Sequence, residues 1–229
     1  MSLSVIIPTL NEEAGLGSTL ESVRRSAPGS EVVVADGGSQ DQTLVVAGGV
    51  PGVRTITAPR GRGPQMNAGA AAATGDVLLF LHADTHLPPD AGALIAAALE
   101  DPRVVGGSFI LGFDSTHPLL RLSSIASRLN VRWATYGDQA LFLRRETFER
   151  AGGFPPQPLF EDVAMQARIR RLGRCVKIQR PVTSSARRFL RVGVVRQQLL
   201  NAALVLAYHL GVSPWTLASW YDREPAPPR

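Results

Sequence analysis

Through its first half the chain alternates short β-branched apolar runs with stretches of helical periodicity, the habit of a parallel sheet covered by helices. Residues 4–8 read as the first strand, and Asn11 stands where it would cap a helix in which Leu16, Leu20 and Val23 recur at helical spacing. Pro28, Gly29 and Ser30 break that helix. Residues 31–35 and 53–58 are further strands, with a glycine turn and a short helix at 43–47 between them. Pro64 is expected to open the next helix, which closes near Gly75. Residues 76–81 are apolar without alternation, which predicts a strand buried on both faces near the middle of the sheet. A loop at 82–89, an alanine-rich helix at 90–99 and a strand at 104–111 follow. Beyond them the alternation weakens: helices are expected at 119–128 and 163–171, strands at 140–143 and, last and short, at 175–178.

With 229 residues, 45% of them hydrophobic, the chain can bury one sizeable core and a small appendage. The net charge of +5 comes from arginine, Lys177 being the only lysine. A nucleic-acid module should cluster its basic residues with interleaved aromatics; aromatics are 6% here, so no nucleic-acid partner is expected. Cys175 is the only cysteine, which excludes an internal disulfide and a cysteine-based zinc site. The first residues run directly into a strand with no basic leader, so a cytoplasmic location is expected, with the inner face of the membrane as a variant. Residues 199–210 are apolar almost all round but too few to span a bilayer. They fit a buried or dimer-forming helix, or one lying in a membrane interface, so that residues 191–221 could carry a homodimer contact or a peripheral membrane contact.

Residues 11–13, 36–41, 60–63 and 82–84 each follow the carboxyl end of one of four successive expected strands. In an open parallel sheet that edge binds ligands, and four polar loops in register favour a nucleotide-type ligand. Neither GxxxxGK[ST] nor a GxGxxG in the first strand-to-helix turn is present, which argues against a P-loop ATPase and an ordinary dehydrogenase.

The motifs at these positions resemble those of family 2 glycosyltransferases of the GT-A fold, over nearly the whole chain to about Leu190. Ser4-Val5-Ile6-Ile7-Pro8-Thr9-Leu10-Asn11-Glu12 is similar to that family's opening strand and first nucleotide-binding loop. Asp36-Gly37-Gly38-Ser39 resembles its second motif, with Gly37 in place of a second carboxylate. Asn67-Ala68-Gly69 with Thr74-Gly75-Asp76 resembles the lead into the metal motif, which is His82-Ala83-Asp84 in place of Asp-X-Asp. Gly152-Gly153-Phe154 followed by Glu161-Asp162 resembles the late catalytic segment. The resemblance implies an α/β fold: a Rossmann-like, mostly parallel sheet flanked by helices, with a C-terminal helical extension. Residues 1–115 would form the nucleotide-sugar-binding half, 116–190 the acceptor and catalytic half of the same domain, and 191–229 the extension and tail. The His-Ala-Asp variant is similar to a branch associated with small-molecule or lipid glycosylation, including arsenosugar pathways.

On this resemblance the chain is an inverting, metal-assisted hexosyltransferase that moves a sugar from a nucleoside-diphosphate donor to a hydroxyl on a small-molecule or lipid-linked acceptor. A divalent cation that neutralises the leaving diphosphate would be Mn²⁺ or Mg²⁺, held by Asp84 as a hard oxygen ligand. His82 could ligate the metal, bond the ribose or orient Asp84. Asp162 would be the general base and Glu161 its positioner, although acidic residues also favour helix starts. Donor contacts are expected from Pro8, Thr9, Asn11, Glu13, Asp36, Arg62, Asn67, His82, Ala83, Asp84 and Arg188, with Arg187 beside it. Acceptor contacts are expected from Tyr136, Asp138 and Gln139. The alternatives are a sugar nucleotidyltransferase, against which the sequence Pro8-Thr9-Leu10-Asn11 stands where a basic glycine-rich loop is needed, and a catalytically degenerate nucleotide-sugar-binding protein.

Overall fold

The structure is a computed structural model that describes residues 1–130 and 137–221. Its first half follows the sequence pattern: β1 (Leu3–Thr9), α1 (Glu13–Ser26), β2 (Glu31–Asp36), α2 (Thr43–Gly48), β3 (Val53–Thr57), α3 (Arg62–Ala72) and β4 (Val77–Phe80). Then come β5 (Thr85–His86), α4 (Ala91–Ala98), β6 (Val104–Phe113), α5 (Pro118–Ala126), β7 (Leu141–Arg144), α6 (Arg145–Arg150), α7 (Glu161–Ile169) and β8 (Arg174–Ser184). Three helices close the chain: α8 (Arg187–Val192), α9 (Val194–His209) and α10 (Pro214–Tyr221).

The eight strands form one sheet in the order β3-β2-β1-β4-β7-β6-β8-β5. Strands β1 to β4 are parallel to one another, β7 enters antiparallel between β4 and β6, and β8 runs parallel to β6. The reason β1 and β4 lack polar alternation is that both sheet faces are covered. Val5, Ile7, Leu79 and Leu81 pack into one layer with α1 and α4; Ile6, Leu78 and Phe80 pack into the other with α3 and α7. Helix α3 lies so close to β1 that a Cβ on Gly69 would come within 2.4 Å of Ile6 Cγ2, which leaves only glycine at that position.

Several expectations need correction. Asn11 does not cap α1; it adopts φ 56° in the preceding loop, and its side chain bonds elsewhere. Helix α3 starts at Arg62, so Pro64 sits inside its first turn rather than opening it. The last strand is 11 residues long, because β8 recovers its pairing with β6 after a register shift between Phe109 and Ile110 that accommodates Pro181. Helix α9 is not buried: Val194, Gln197 and Leu204 face inward, while Val195, Leu199, Leu206 and Leu210 are exposed.

Candidate active site

The order β3-β2-β1-β4 reverses direction at β1, and there the sheet splays. Pairing of β1 with β4 ends at Ile6 opposite Phe80, whereas pairing with β2 continues to Thr9 opposite Asp36. A crevice outside the carboxyl ends of the strands at such a switch point is where open α/β sheets bind ligands. Pro8 occupies the free edge, where its missing N–H costs no ladder bond to β4.

The loops after β1 and β2 are stitched together. Asp36, at the end of β2, accepts from Gly38 N (2.8 Å), Ser39 N (2.9 Å), Ser39 Oγ and Thr9 Oγ1 (3.2 Å). Burial alone would raise its pKa, but the hydrogen bonds led by Ser39 outweigh that and hold it below the usual carboxylate value. Asn11 Oδ1 accepts from Gln40 N at 2.8 Å, Glu13 Oε2 from Gln42 N at 2.8 Å, and Asp41 Oδ2 from Glu13 N at 3.2 Å. Beneath them Gln65 Nε2 donates to the carbonyls of Thr9 (2.6 Å) and Ala35 (2.9 Å). This buried amide lies under Gly37, where a Cβ would come within 3.0 Å of it.

The centre of the crevice is an open cavity of about 260 Å³ lined by Arg62, His82, Asp138, Asp162 and Arg188, with Phe160, Asn201 and Tyr221 beside them. Glu161 and Asp162 do not precede α7 but form its first turn, where the helix N-terminus favours negative charge. Asp162 Oδ1 accepts from Val163 N at 2.8 Å. Phe160, the residue before them, takes φ 62°, and Asn11, in the loop after β1, takes φ 56°; strain at such non-glycine residues is common at functional sites.

Arg62, at the start of α3, is the electrostatic hub. It is ringed by protein yet 48% exposed along the open side of the crevice, with Nη1 3.6 Å from Glu161 Oε1. Burial would lower its pKa, but Glu161, Asp162 and Asp138 outweigh that and raise it. Glu161 is fully buried with Oε2 unpartnered among the described residues, and burial together with Asp162 raises its pKa. Asp138 is pushed up to about 7 by burial and by Asp162, against the opposing pull of Arg62 and Lys177. Its Oδ1 also lacks a partner among the described residues. His82 is driven down to about 3 by burial and by Arg62, so it is a neutral imidazole at physiological pH.

Asp84 lies on the flank, in a separate recess with Gly15, Asp114 and Arg187. Arg187 Nη2 is 3.1 Å from Glu12 Oε2 and 4.0 Å from Asp84 Oδ2, and burial raises the pKa of both carboxylates. Arg62 interacts electrostatically with both Asp84 and Asp162, although the two carboxylates line separate recesses. Arg188 stacks on Tyr221 with its Cζ 3.8 Å from the ring centroid, and its buried Nε has no partner among the described residues. No group of three or more His, Cys, Asp or Glu side chains among the described residues could hold a metal unaided.

The structure therefore brings Arg62, His82, Asp138, Glu161, Asp162 and Arg188 together, and sets Asp84 beside them. It places Asn67 differently: its amide bonds Phe154 O (2.9 Å) and Phe154 N (2.8 Å), fastening α3 to the segment before α7. Thr9, Asn11, Glu13 and Asp36 shape the paired loops, each side chain already bonded within them. Ala83 contributes its carbonyl, which accepts from Thr19 Oγ1 at 2.8 Å. Gln139 is buried behind the cavity, and Tyr136 lies outside the described residues. The sequence reasoning missed Gln65, Phe160 and Lys177. Lys177 Nζ donates to Ser108 Oγ (2.7 Å) and to Gln139 Oε1, and burial and Arg170 lower its pKa to about 7. A single lysine in an expected strand was the available signal for it.

A family model described as glycosyl transferase family 2 matches residues 4–157. A PGL/p-HBAD biosynthesis glycosyltransferase of Mycobacterium tuberculosis is 34% identical over 171 residues, covering 66% of this chain and 62% of that protein. Glucosyl-3-phosphoglycerate synthase of Mycolicibacterium smegmatis is 34% identical over 99 residues, 39% of this chain and 32% of that one. The chain thus spans about three-fifths or less of the length of these curated relatives. Among solved structures, the mannosyltransferase PcManGT of Pyrobaculum calidifontis, in complex with GDP-Man and Mn²⁺, aligns with TM-score 0.63 at 24% identity over 99% of this chain and 65% of its own. S. aureus TarS 1-349 in complex with UDP aligns with TM-score 0.69 at 17% identity, over 93% and 66%. These likenesses bear out the GT-A architecture of a mixed α/β sheet flanked by helices.

Proposed function

Because the chain belongs to glycosyl transferase family 2, we propose that it transfers a sugar from a nucleoside-diphosphate donor to an acceptor hydroxyl with inversion at the anomeric carbon. The observation that carries this reading is the cavity in which Arg62 and Arg188 meet Asp138 and Asp162 at the switch point of the sheet. Cationic forks suit a diphosphate, and carboxylates facing them suit a hydroxyl that must lose its proton. Residues 1–115 supply the donor half, 116–190 the acceptor and catalytic half, and the helices after 190 the extension.

Asp162 takes the proton of the acceptor hydroxyl as its oxygen attacks the anomeric carbon from the face opposite the diphosphate. The bond between that carbon and the phosphate oxygen breaks, and its electron pair leaves with the diphosphate. No covalent sugar intermediate is needed, because bond making and breaking occur on opposite faces. Arg62 and Arg188 stabilise the growing charge. Glu161, buried behind Asp162 and bonded to Arg62, fixes both in place. Neutral His82 can donate or accept one hydrogen bond to the donor without adding charge.

Asp84 is the carboxylate that would hold a divalent cation arriving with the diphosphate; Glu12 contacts the same Arg187 guanidinium, which would have to turn away for it to join, and phosphate oxygens would complete the shell. When bound, such an ion neutralises the leaving group. Mn²⁺ is the first choice because PcManGT was solved with it; Mg²⁺ is equally suited to the oxygen donors. The test is Asp162→Asn: transfer to the acceptor should fall by roughly 10²- to 10⁴-fold while donor affinity by calorimetry stays nearly constant. Retained turnover with lost donor affinity would reverse the assignment.

Two observations favour further readings. Asp138, its pKa pushed up to about 7, has in the same cavity an oxygen with no partner among the described residues, so it is the rival base should Asp162→Asn stay active. Val195, Leu199, Leu206 and Leu210 expose an apolar stripe on α9, and Trp215 and Trp220 are exposed on α10. Of the four arginines in residues 187–221, Arg187 and Arg188 turn to the crevice and Arg191 and Arg196 are exposed, and the segment has no acidic side chain. Apolar surface bordered by arginine matches an anionic bilayer, so we assign this face to peripheral membrane contact in preference to a homodimer. No helix among the described residues is long and apolar enough to cross a membrane.

A further inference from the structure

A second, larger groove of about 540 Å³ runs from the reacting cavity outward between α5 and α9. It shares Asp138, Phe189, Asn201 and Val205 with the cavity that holds Asp162, so the two adjoin at these side chains. Its character changes along its length. The end it shares with the cavity presents Asp138 and Asn201; the rest is walled mainly by Leu111, Phe113, Ala126, Ala202 and Leu206, with Ser123, Ser127, Gln198 and His209 as polar interruptions. Ser123 Oγ accepts from Gln198 Nε2 at 2.8 Å and ties α5 to α9. Leu122 of α5 and Leu199 and Leu206 of α9 are exposed apolar residues on the two helices that flank the groove.

From this gradient the geometry points to an amphiphilic acceptor: a hydroxyl presented at Asp138 and Asp162, carried on an apolar body that lies in the α5–α9 groove. This inference rests on the transferase reading above and specifies its acceptor class. A fully polar acceptor would leave the apolar walls wet and gain nothing from them. An acyl, alkyl or aryl body would bury them at a gain proportional to the area removed from water. The volume is that of a site for a drug-sized molecule, more than a bare hydroxyl group requires. The arrangement also aligns the groove mouth with the arginine-bordered face, so that an acceptor dissolved in a bilayer would enter apolar end outermost, with its polar head leading toward Asp138.

The test is calorimetric titration of the full chain with 1-O-alkylglycerols from hexyl to decyl, each kept below its micelle concentration. Affinity should rise about two- to fourfold per added methylene until the groove is filled. Ala126→Trp and Ala202→Trp, which fill the outer groove from opposite walls, should flatten the series. Both alanines are exposed, so the folded state accommodates the larger ring, and the two variants check each other. Affinity independent of chain length in the parent protein, or a series unchanged in both variants, overturns the proposal. A sedimentation result in which the chain is dimeric and Ala202→Trp dissociates it would assign the groove to a second copy and overturn it as well. Donor titration with UDP- and GDP-sugars is run on the same samples. Absence of any donor binding refutes the transferase reading, whereas the chain-length series reports on the groove alone.

Discussion

Replacing Arg62 by methionine keeps most of the aliphatic stem and removes the charge on which the crevice is centred. At 3.6 Å from Glu161 Oε1, and with an effective dielectric constant near 20, the lost attraction is about 4 to 5 kcal/mol. Arg62 is 48% exposed, so screening reduces this to roughly 1.5 kcal/mol. The loss depends on pH because Glu161 can neutralise itself. Its folded pKa lies above its unfolded value, so the folded state holds the proton more tightly and stability falls as pH rises from about 5 through the folded pKa. Without Arg62 that pKa rises further, and the penalty of ionising the buried carboxyl grows. At about pH 5 Glu161 is protonated in the folded state with or without Arg62, and the variant should melt within about 1 °C of the parent. At about pH 8.5 it should melt roughly 3 to 6 °C lower, given the usual scaling for a chain of this size. Differential scanning fluorimetry across the pH range reads the effect directly. Donor affinity should fall by about tenfold or more, as expected when a charge-assisted hydrogen bond is lost. A melting difference equal at both ends of the range would refute the argument that Glu161 is the group Arg62 compensates. Unchanged donor affinity would remove Arg62 from the diphosphate site.

Asp138→Asn removes a carboxyl whose pKa is raised to about 7, so the pH profile of kcat/KM should change near neutrality; Glu161 and Lys177 are also carried to about 7, and an unchanged profile assigns the inflection to one of them. The same variant should become more stable relative to the parent as pH rises through 7, because ionisation of buried Asp138 no longer weakens the fold, and melting curves at several pH values check the sign. Asp84→Ala should abolish any Mn²⁺-dependent thermal shift produced by a nucleoside diphosphate, and a full shift in the variant would place the cation elsewhere. Gly63→Ala puts a Cβ 2.7 Å from Pro155 O at the start of α3, next to Arg62. It should cost about 1 to 3 kcal/mol, seen as a lower urea midpoint.

The central strands were legible because β1 and β4 are apolar on both faces, a pattern that needs two covering layers. The polar residues after each strand were legible for the same reason, since an abrupt end to an apolar run marks the sheet edge. The second half was harder. Gln179, Arg180 and Pro181 interrupt the pattern of β8, and only the neighbouring β6 makes the strand continue. The two-residue β5 exists because Thr85 and His86 meet Ser184 and Thr183, a pairing across about a hundred positions that no local window contains. Helices α6 and α8 are six residues each, too short for periodicity to identify. In the site, Asp162 and Arg62 stood out because motif spacing or flanking glycines marked them. Lys177 and Gln65 did not, since their roles come from partners distant in sequence, Gln139 for one and the carbonyls of Thr9 and Ala35 for the other. Asn67 shows the reverse case, a motif residue whose amide is occupied by Phe154 and which acts on the crevice through the chain it fastens.

The loops after β1 and β2 are sewn to each other by hydrogen bonds among Asn11, Glu13, Asp36, Ser39, Gln40 and Asp41. None of these bonds involves the helices after β8, which rest on the domain through aromatic contacts such as Phe160 with Tyr208 and Phe113 with Phe189. The two ends of the crevice are joined by the ion pair of Arg187 with Glu12, at 3.1 Å. On the transferase reading, sequence change in the C-terminal helices beyond Arg187 and Arg188 can reshape what enters from that end while the nucleotide end keeps its form, so acceptor preference can drift over evolutionary time with little retuning of the donor.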